Sequence, residues 1–403
     1  MPRQGNQPAH EREVEIEDGL MHPLVSGPEA KRYETPRTDT YILFPYEIVD
    51  GGARLIPQER MATEFPRAWS HLVAWREALR AREGDAFVDA TWWRFGRTQN
   101  LDKQDNPKIL TPRLVVKLAC TLDIEGKFYT DNVDVGGVVP ARMSDSWFLL
   151  GVLNGAVASW VFRRISKPFE GGYRSANKQF IAPLPVPRGE AASRARVGDL
   201  ARSLQDATTR RRDAIENTGR RLGALRQRRQ PDTWLWPDLD PLDSWIERQP
   251  PGTDARDRQA RAEAARAADV EARLAVLQEA MTAGAAVEPG LRDGTELVLR
   301  VGGRLVVERV FVDPDSADLV LAQWRHVART FSIAPKTKGK DLANALRTVA
   351  LQGDDAAARQ VVELDQELVA LEAEIASHEA EMEALLADLY GLTGEERALV
   401  RRG

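Results

Sequence analysis

Four side chains suited to reading base edges fall within seven positions of this sequence: Arg94, Arg97, Gln99 and Asn100. A guanidinium offers the paired donors that match guanine O6 and N7, and a carboxamide offers the donor and acceptor that match adenine N6 and N7. The same cluster also suits a solvated strand-to-loop surface holding an ordinary ion pair. Lys108 and Arg113 flank Pro112, with Lys117 beyond. They are spaced to position phosphates, contacts that give salt-dependent affinity without sequence information. A lysine in a strand equally covers a sheet edge. A third group, Arg163, Arg164, Lys167, Tyr173, Arg174, Asn177 and Lys178, surrounds Gly171–Gly172. Glycines let backbone approach a ligand closely, and loops on a rigid scaffold commonly carry recognition. Arg174, Asn177 and Lys178 are its candidates, while Arg163 and Arg164 also suit the end of a helix.

Other chemistry finds little support. His10, His22, His71, His326 and His378 are scattered without metal-ligand spacing. The single cysteine, Cys120, excludes an internal disulfide and any zinc site built on several cysteines. Trp69, Trp75, Trp92, Trp93, Trp147 and Trp160 sit at amphipathic or strand positions and read as core. Arg210-Arg211-Arg212 and Arg226-Gln227-Arg228-Arg229 read as solvated helix faces, softened by Asp213 and Glu216. A nuclease within 190–350 needs clustered carboxylates and a lysine on adjacent strands, and its strongest hairpin offers only Glu296 and Glu308. No catalytic, metal-binding or cofactor-binding residue is expected in this chain.

The elements that must position these residues follow from periodicity. A lead-in over 1–40 precedes a mixed region over 41–188, with a short strand at 41–46 and a hairpin turn at Asp50-Gly51-Gly52. A helix is expected over 64–82, strands at 92–96, 108–110, 114–119 and 126–129, an apolar helix over 147–162, and an extended segment at 177–181. Repeated prolines at 183, 185 and 187 close that region. A helical spacer follows over 189–283, including an arginine-rich helix over 191–229 and a charged one over 253–281. Over 284–350 a hairpin turns at Gly302–Gly303 and a helix runs over 315–331. An acidic helix from 354 to 389 within 351–403 carries a near-heptad stripe that needs a helical partner, in this chain or another. The expected class is α+β: a mixed α/β recognition region, then a mostly helical, coiled-coil-like C-terminal region with one β-hairpin.

Residues 31–188 carry 23 Lys/Arg against 18 Asp/Glu, whereas the chain as a whole is acidic at −5. Binding a polyanion needs only a locally basic surface. The longest apolar stretch, 147–165, is interrupted by Asn154, Ser159, Arg163 and Arg164, and the N-terminus shows no apolar leader. A cytoplasmic location without membrane partners is expected.

Five segments in order carry a family resemblance. They are Glu64-Phe65-Pro66-Arg67-Ala68-Trp69 with Leu79 and Arg82, then Trp92-Trp93-Arg94-Phe95-Gly96-Arg97 followed by Pro107-Lys108-Ile109. Next come Leu149-Leu150-Gly151-Val152-Leu153-Asn154-Gly155 and the stretch from Gly171-Gly172-Tyr173 through Lys178 into Leu184-Pro185-Val186-Pro187. The last is Leu389-Tyr390-Gly391-Leu392-Thr393. Together they resemble the TaqI-like C-terminal specificity (target-recognition) domain of adenine-specific DNA methyltransferases and fused restriction–modification enzymes. Gly155 replaces that family's usual serine, and 281–350 matches no part of it. The family's glycine-rich cofactor motif and Asn/Asp-Pro-Pro-Tyr/Phe motif do not occur here. The resemblance therefore implies a double-stranded DNA specificity module acting with a separate methyltransferase subunit or upstream domain. S-adenosylmethionine is expected in that partner, which flips the target adenine from the stack. A C-terminal fragment of a single-chain methyltransferase–nuclease and a coiled-coil adaptor in a phage-defence complex are the alternatives.

Overall fold

The computed structural model describes residues 13–131, 133–251, 254–284, 286–351 and 355–402, the side chain of Arg402 excepted. The first twelve residues of the lead-in, with His10, and the expected helix starts at Thr253 and Asp354 lie outside the described residues. The fold is α+β, helices outweighing strands, with several small sheets and a largely helical C-terminal region. The chain divides into two compact units: Met1–Thr209 with Ile375–Gly403, and the continuous stretch Arg210–Glu374. Both boundaries fall inside long helices, Ala191–Ala224 and Asp355–Leu389, so each helix contributes one portion to each unit.

At the centre of unit 1 lies an antiparallel sheet in which Lys108–Pro112 pairs with Thr121–Asp123 on one side and Val135–Val138 on the other. Every residue of Lys108–Pro112 is buried. Ile109, Leu118 and Leu122 meet Phe148, Leu150, Phe162, Leu200, Leu204, Met382 and Leu386 in one core cluster. Burying each such side chain stabilises by about 1.5–3 kcal/mol. The apolar helix expected over 147–162 is two helices, Ser146–Asn154 and Ala156–Ile165, separated by an extended Gly155. A Cβ on Gly151 would stand 2.8 Å from Val197, and one on Gly155 2.6 Å from Leu386. Only glycine allows these helices to pack so closely.

The outer edge of Thr121–Asp123 is closed by amide side chains. Asn154 accepts the Cys120 N–H at 2.8 Å and donates to the Cys120 carbonyl at 2.9 Å. Gln205 treats Leu122 identically, at 2.8 Å in both directions. Two carboxamides, together with the Tyr33 N–H on the Cys120 carbonyl at 2.9 Å, thus stand in for a neighbouring strand and satisfy these buried backbone groups. Elsewhere in the unit, Met21–Val25 pairs antiparallel with Tyr41–Leu43 and parallel with Tyr129–Thr130. Tyr46–Val49 and Gly52–Leu55 form the hairpin anticipated from Asp50 and Gly51, whose φ values are 53° and 74°.

Three local expectations are corrected. The helix over 64–82 is broken into Gln58–Glu64, Pro66–Ala74, Arg76–Arg80 and Arg82–Asp85. Pro66 starts a new helix, and Glu83 and Gly84, both at positive φ, end the series. The expected strand 92–96 is a turn, because Trp92 and Trp93 bury edge-on or tilted against Trp69 rather than pairing their backbone. The expected extended run 177–181 contains the short helix Lys178–Ile181, with Asn177 at its N-cap.

Unit 2 is built on the antiparallel strands Val287–Arg292, Glu296–Val301 and Arg304–Phe311. Gly302 and Gly303 turn the second pair at φ 56° and 76°, the left-handed pair a primed two-residue turn requires. The first strand escaped the sequence reading because Pro289 and Gly290 weaken its strand signal. Fully buried Trp324, from the helix Pro314–Thr330, packs with Leu297, Leu299, Val307, Val320, Leu342 and Leu346. Its indole N–H donates to the Leu346 carbonyl at 3.0 Å. Gln323 clamps both backbone groups of Ala350 at 2.8 and 2.9 Å, the device Asn154 uses in unit 1.

The apolar stripe of Asp355–Leu389 is satisfied within the chain. Val361 packs with Leu222, Leu225 and Leu319 in unit 2, and Met382 and Leu386 join the core of unit 1. Among the described residues no single helix is long and apolar enough to cross a membrane.

Candidate functional site

The residues singled out in sequence divide sharply once placed. Arg94 is an internal strut. Its guanidinium donates to Asp89 Oδ1 at 2.6 Å and to Thr91 Oγ1 at 2.7 Å, and it lies over the Phe87 ring. Arg97 and Gln99 are exposed, and no side-chain partner of either is seen among the described residues. Asn100 is exposed in the left-handed region at φ 62°, a conformation asparagine tolerates better than most residues.

Lys108 requires correction. Its side chain is only 3% exposed, with Nζ 3.2 Å from Asp123 Oδ2 and donating to the Gln104 carbonyl at 2.6 Å. Lys108 and Asp123 stand directly opposite each other across the paired strands. Burial pulls the ammonium below the ordinary lysine range, against the raising effect of Asp123. Such a group holds the sheet and the 104–106 turn together and cannot reach a phosphate. Asp123 is anchored further by the N–H groups of Lys127 and Phe128.

Arg113 is the opposite case. Its Nη1 donates to Asn177 Oδ1 at 3.2 Å, and its guanidinium carbon would stand 3.4 Å from a Cβ on Gly136. The Arg113 Nε is buried without a partner among the described residues. Two neighbours therefore fix this cation while leaving donor capacity unused. Arg174 is half-buried and donates to the Ser166 carbonyl at 3.1 Å, closing the base of the Gly171–Gly172 loop. Lys178 is exposed.

Asn100, Lys108, Arg113 and Lys178 line one cleft of about 690 Å³ in unit 1, and Asn177 reaches its mouth through Arg113. The floor is apolar, from Val138, Leu149, Leu153, Ile181 and Leu184. Lys103, Gln104, Asn106 and Thr111 also line it and were not foreseen. Gln104 accepts the Thr130 N–H at 3.0 Å and so ties two walls together. The signal that could have found these residues is their position between Asn100 and Lys108, in a turn that a basic, amide-rich composition marks. An apolar floor under a rim of cations and amides suits a flat ligand with acceptor edges and a nearby negative charge.

Arg97, Gln99 and Arg174 are not among the cleft's lining residues. Cys120 is buried beneath the sheet, and burial pushes its thiol up to about 12. Among the described residues no group of three or more His, Cys, Asp or Glu side chains is placed to hold a metal ion. No protein-family model matches the chain, and no curated protein matches it.

Proposed function

We propose that the chain is a sequence-specific DNA-binding module that gives specificity to an adenine-N6 methyltransferase or restriction–modification system, with catalysis and S-adenosylmethionine supplied by a partner subunit or upstream domain. The observation that carries this reading is convergence. All five segments that resemble the target-recognition family lie in unit 1, although 205 residues separate Pro185 from Tyr390, whose hydroxyl donates to the Pro185 carbonyl at 2.7 Å. The structural roles of those segments fit their residue types. Leu150 and Gly151 pack the core, Asn154 closes the sheet edge, and Leu184, Pro185 and Val186 wall the cleft. Unit 2, which holds the stretch without resemblance, is then an insertion between the body of that domain and its terminal motif.

In this reading Arg97, Gln99 and Asn100 read base edges, while Arg113 and Lys178 grip phosphates. Selection of duplexes from a random library, followed by fluorescence anisotropy with the recovered sequence, tests it. The chain should bind the selected duplex at least about a hundredfold tighter than a scrambled one. Failure to enrich any sequence, alone or with an adenine methyltransferase encoded beside it, would rule the reading out.

A further inference from the structure

The cleft of unit 1 offers more than a docked DNA backbone would use. Its volume of about 690 Å³ falls within the range of small-molecule sites, roughly 300–1,000 Å³. Val138, Leu149 and Ile181 are only partly buried, packing on the core and lining the cleft as well. Exposed Val139 and Val186 add to that apolar surface. Around it lie polar side chains without internal duties. Asn100 is exposed and Asn106 half-buried, both line the cleft, and neither carboxamide has a hydrogen-bond partner among the described residues. Lys178 is exposed, and Arg113 is held by the neutral amide of Asn177, so both keep their charge. Lys103 and Lys108 do not, being paired with Asp102 at 2.6 Å and Asp123 at 3.2 Å.

Each feature narrows the occupant. A lone phosphate would leave the apolar floor facing water. An acyl chain would cover the floor and give the carboxamides nothing to bond. A base pair inside a duplex stays out, because its edges lie in grooves that admit protruding helices and ribbons, and a hollow does not protrude. An unpaired base has two flat faces that pack on apolar side chains, an edge of donors and acceptors, and a phosphate one sugar away.

We propose that this cleft binds a single unpaired nucleotide, its base on Val138, Leu149 and Ile181, its edge bonded by Asn100 and Asn106, and its phosphate against Arg113 and Lys178. The nucleotide is either free or an unpaired residue of a DNA strand. A free nucleotide needs only the cleft, whereas a residue of a strand rests on the DNA reading above.

Methyl NMR of the full chain with labelled isoleucines tests this. Ile181→Val identifies the floor resonance, and the other isoleucine methyls report whether a variant keeps its fold. On titration with the four deoxynucleoside monophosphates, at least one should shift the Ile181 methyl by the ring current of its base, and the shift should saturate. Deoxyribose 5-phosphate, which has the phosphate and no base, should leave that methyl in place. Ala182→Trp, which fills the cleft from an exposed lining position, should abolish the shift. Arg113→Gln should weaken the apparent affinity by about tenfold. A short single strand that moves the same methyl and binds at least about tenfold tighter than every mononucleotide assigns the site to a DNA strand; a weaker strand assigns it to a free nucleotide. An Ile181 methyl unmoved by the strand and by all four mononucleotides up to about 20 mM, well above millimolar affinity, overturns the proposal. So does a shift that deoxyribose 5-phosphate reproduces, or one that survives Ala182→Trp. Tight binding of a selected duplex alongside such a result would leave the DNA reading intact and remove only the nucleotide site.

Discussion

The Arg210-Arg211-Arg212 run of unit 2 and the mouth of the unit 1 cleft carry cations to opposite ends. In the run, Arg210 faces Glu367 at 3.4 Å, Arg211 faces Glu372 at 3.0 Å, and Arg212 faces Asp213 at 2.9 Å. Nearby, Arg329 is almost buried between Asp365 and Glu372, at 2.5 and 3.1 Å. At the cleft, Arg113 meets only an amide and Lys178 faces no carboxylate among the described residues; Arg97, which does not line the cleft, faces none either. The densest basic stretch is therefore neutralised by its own unit, while a sparse set of cations keeps its charge for something else. What decides whether a cation can serve a polyanion is the counter-charge the fold sets beside it.

The largest effect that follows concerns Lys108, a cleft lysine buried together with its counter-charge. Asp123→Ala would leave the Lys108 ammonium buried without a counter-charge, and stability measured by urea unfolding should fall by about 3–5 kcal/mol. A loss under about 1 kcal/mol would mean that water reaches the pair, and would return Lys108 to the phosphate-binding set. Next comes Asn154→Ala, which orphans the Cys120 N–H, while the Cys120 carbonyl keeps the Tyr33 N–H at 2.9 Å. One orphaned buried group costs about 1–3 kcal/mol, and a loss of that size is expected. Calorimetric melting checks it, and an unchanged melting temperature would show that the strand edge is solvated.

These two residues also mark how far the sequence could be read. Element types came through where a local signal is strong: Asp50–Gly51 and Gly302–Gly303 turn as their φ preferences dictate, and the apolar spacing of Leu319, Val320 and Trp324 makes a helix. The α+β class was accordingly legible. Register was not. Nothing in the spacing of Lys108 and Asp123 says that they stand opposite each other, and so a buried ion pair passed for a phosphate contact. The same holds for Asn154, whose partner Cys120 lies 34 residues back, and for Glu383, which caps a helix 227 residues earlier. Part of the cleft was legible because Asn100, Arg113 and Lys178 are chemically conspicuous. Lys103 and Asn106 were missed because only the folded turn brings them to the rim.

A smaller effect separates the two basic regions directly. Arg113→Ala should weaken duplex binding about tenfold, the loss of one good charged contact, and Arg211→Ala should leave it within about twofold. Arg97→Ala should reduce affinity for a selected duplex more than for a scrambled one. An equal loss on both would make Arg97 a phosphate contact rather than a base reader. If Arg211→Ala costs as much as Arg113→Ala, internal pairing does not withhold a cation from DNA, and the contrast between the two regions is lost.

The smallest expected effect tests Arg94, the cation of the base-reading cluster that the fold has already taken. Hydrogen bonding from Arg94, helped by the backbone and hydroxyl of Thr91, lowers the Asp89 carboxyl from 3.8 to about 2. A carboxylate lowered on folding stabilises the folded state fully above its unfolded value, and that contribution fades as pH falls through the folded value. The window therefore runs from about pH 4 down to about pH 2. Carboxyl-carbon NMR should show Asp89 titrating near 2 in the parent chain and clearly higher in Arg94→Gln, where the charge and the fork of donors are gone and only the Thr91 donors still lower it. Duplex affinity should change by less than about twofold in the same variant, because a guanidinium already committed to Asp89 and Thr91 has little left for a base. An Asp89 titration indifferent to Arg94→Gln, together with a large loss of duplex binding, would reverse the assignment. Arg94 would then belong with Arg97 and Arg113 among the cations the fold leaves free.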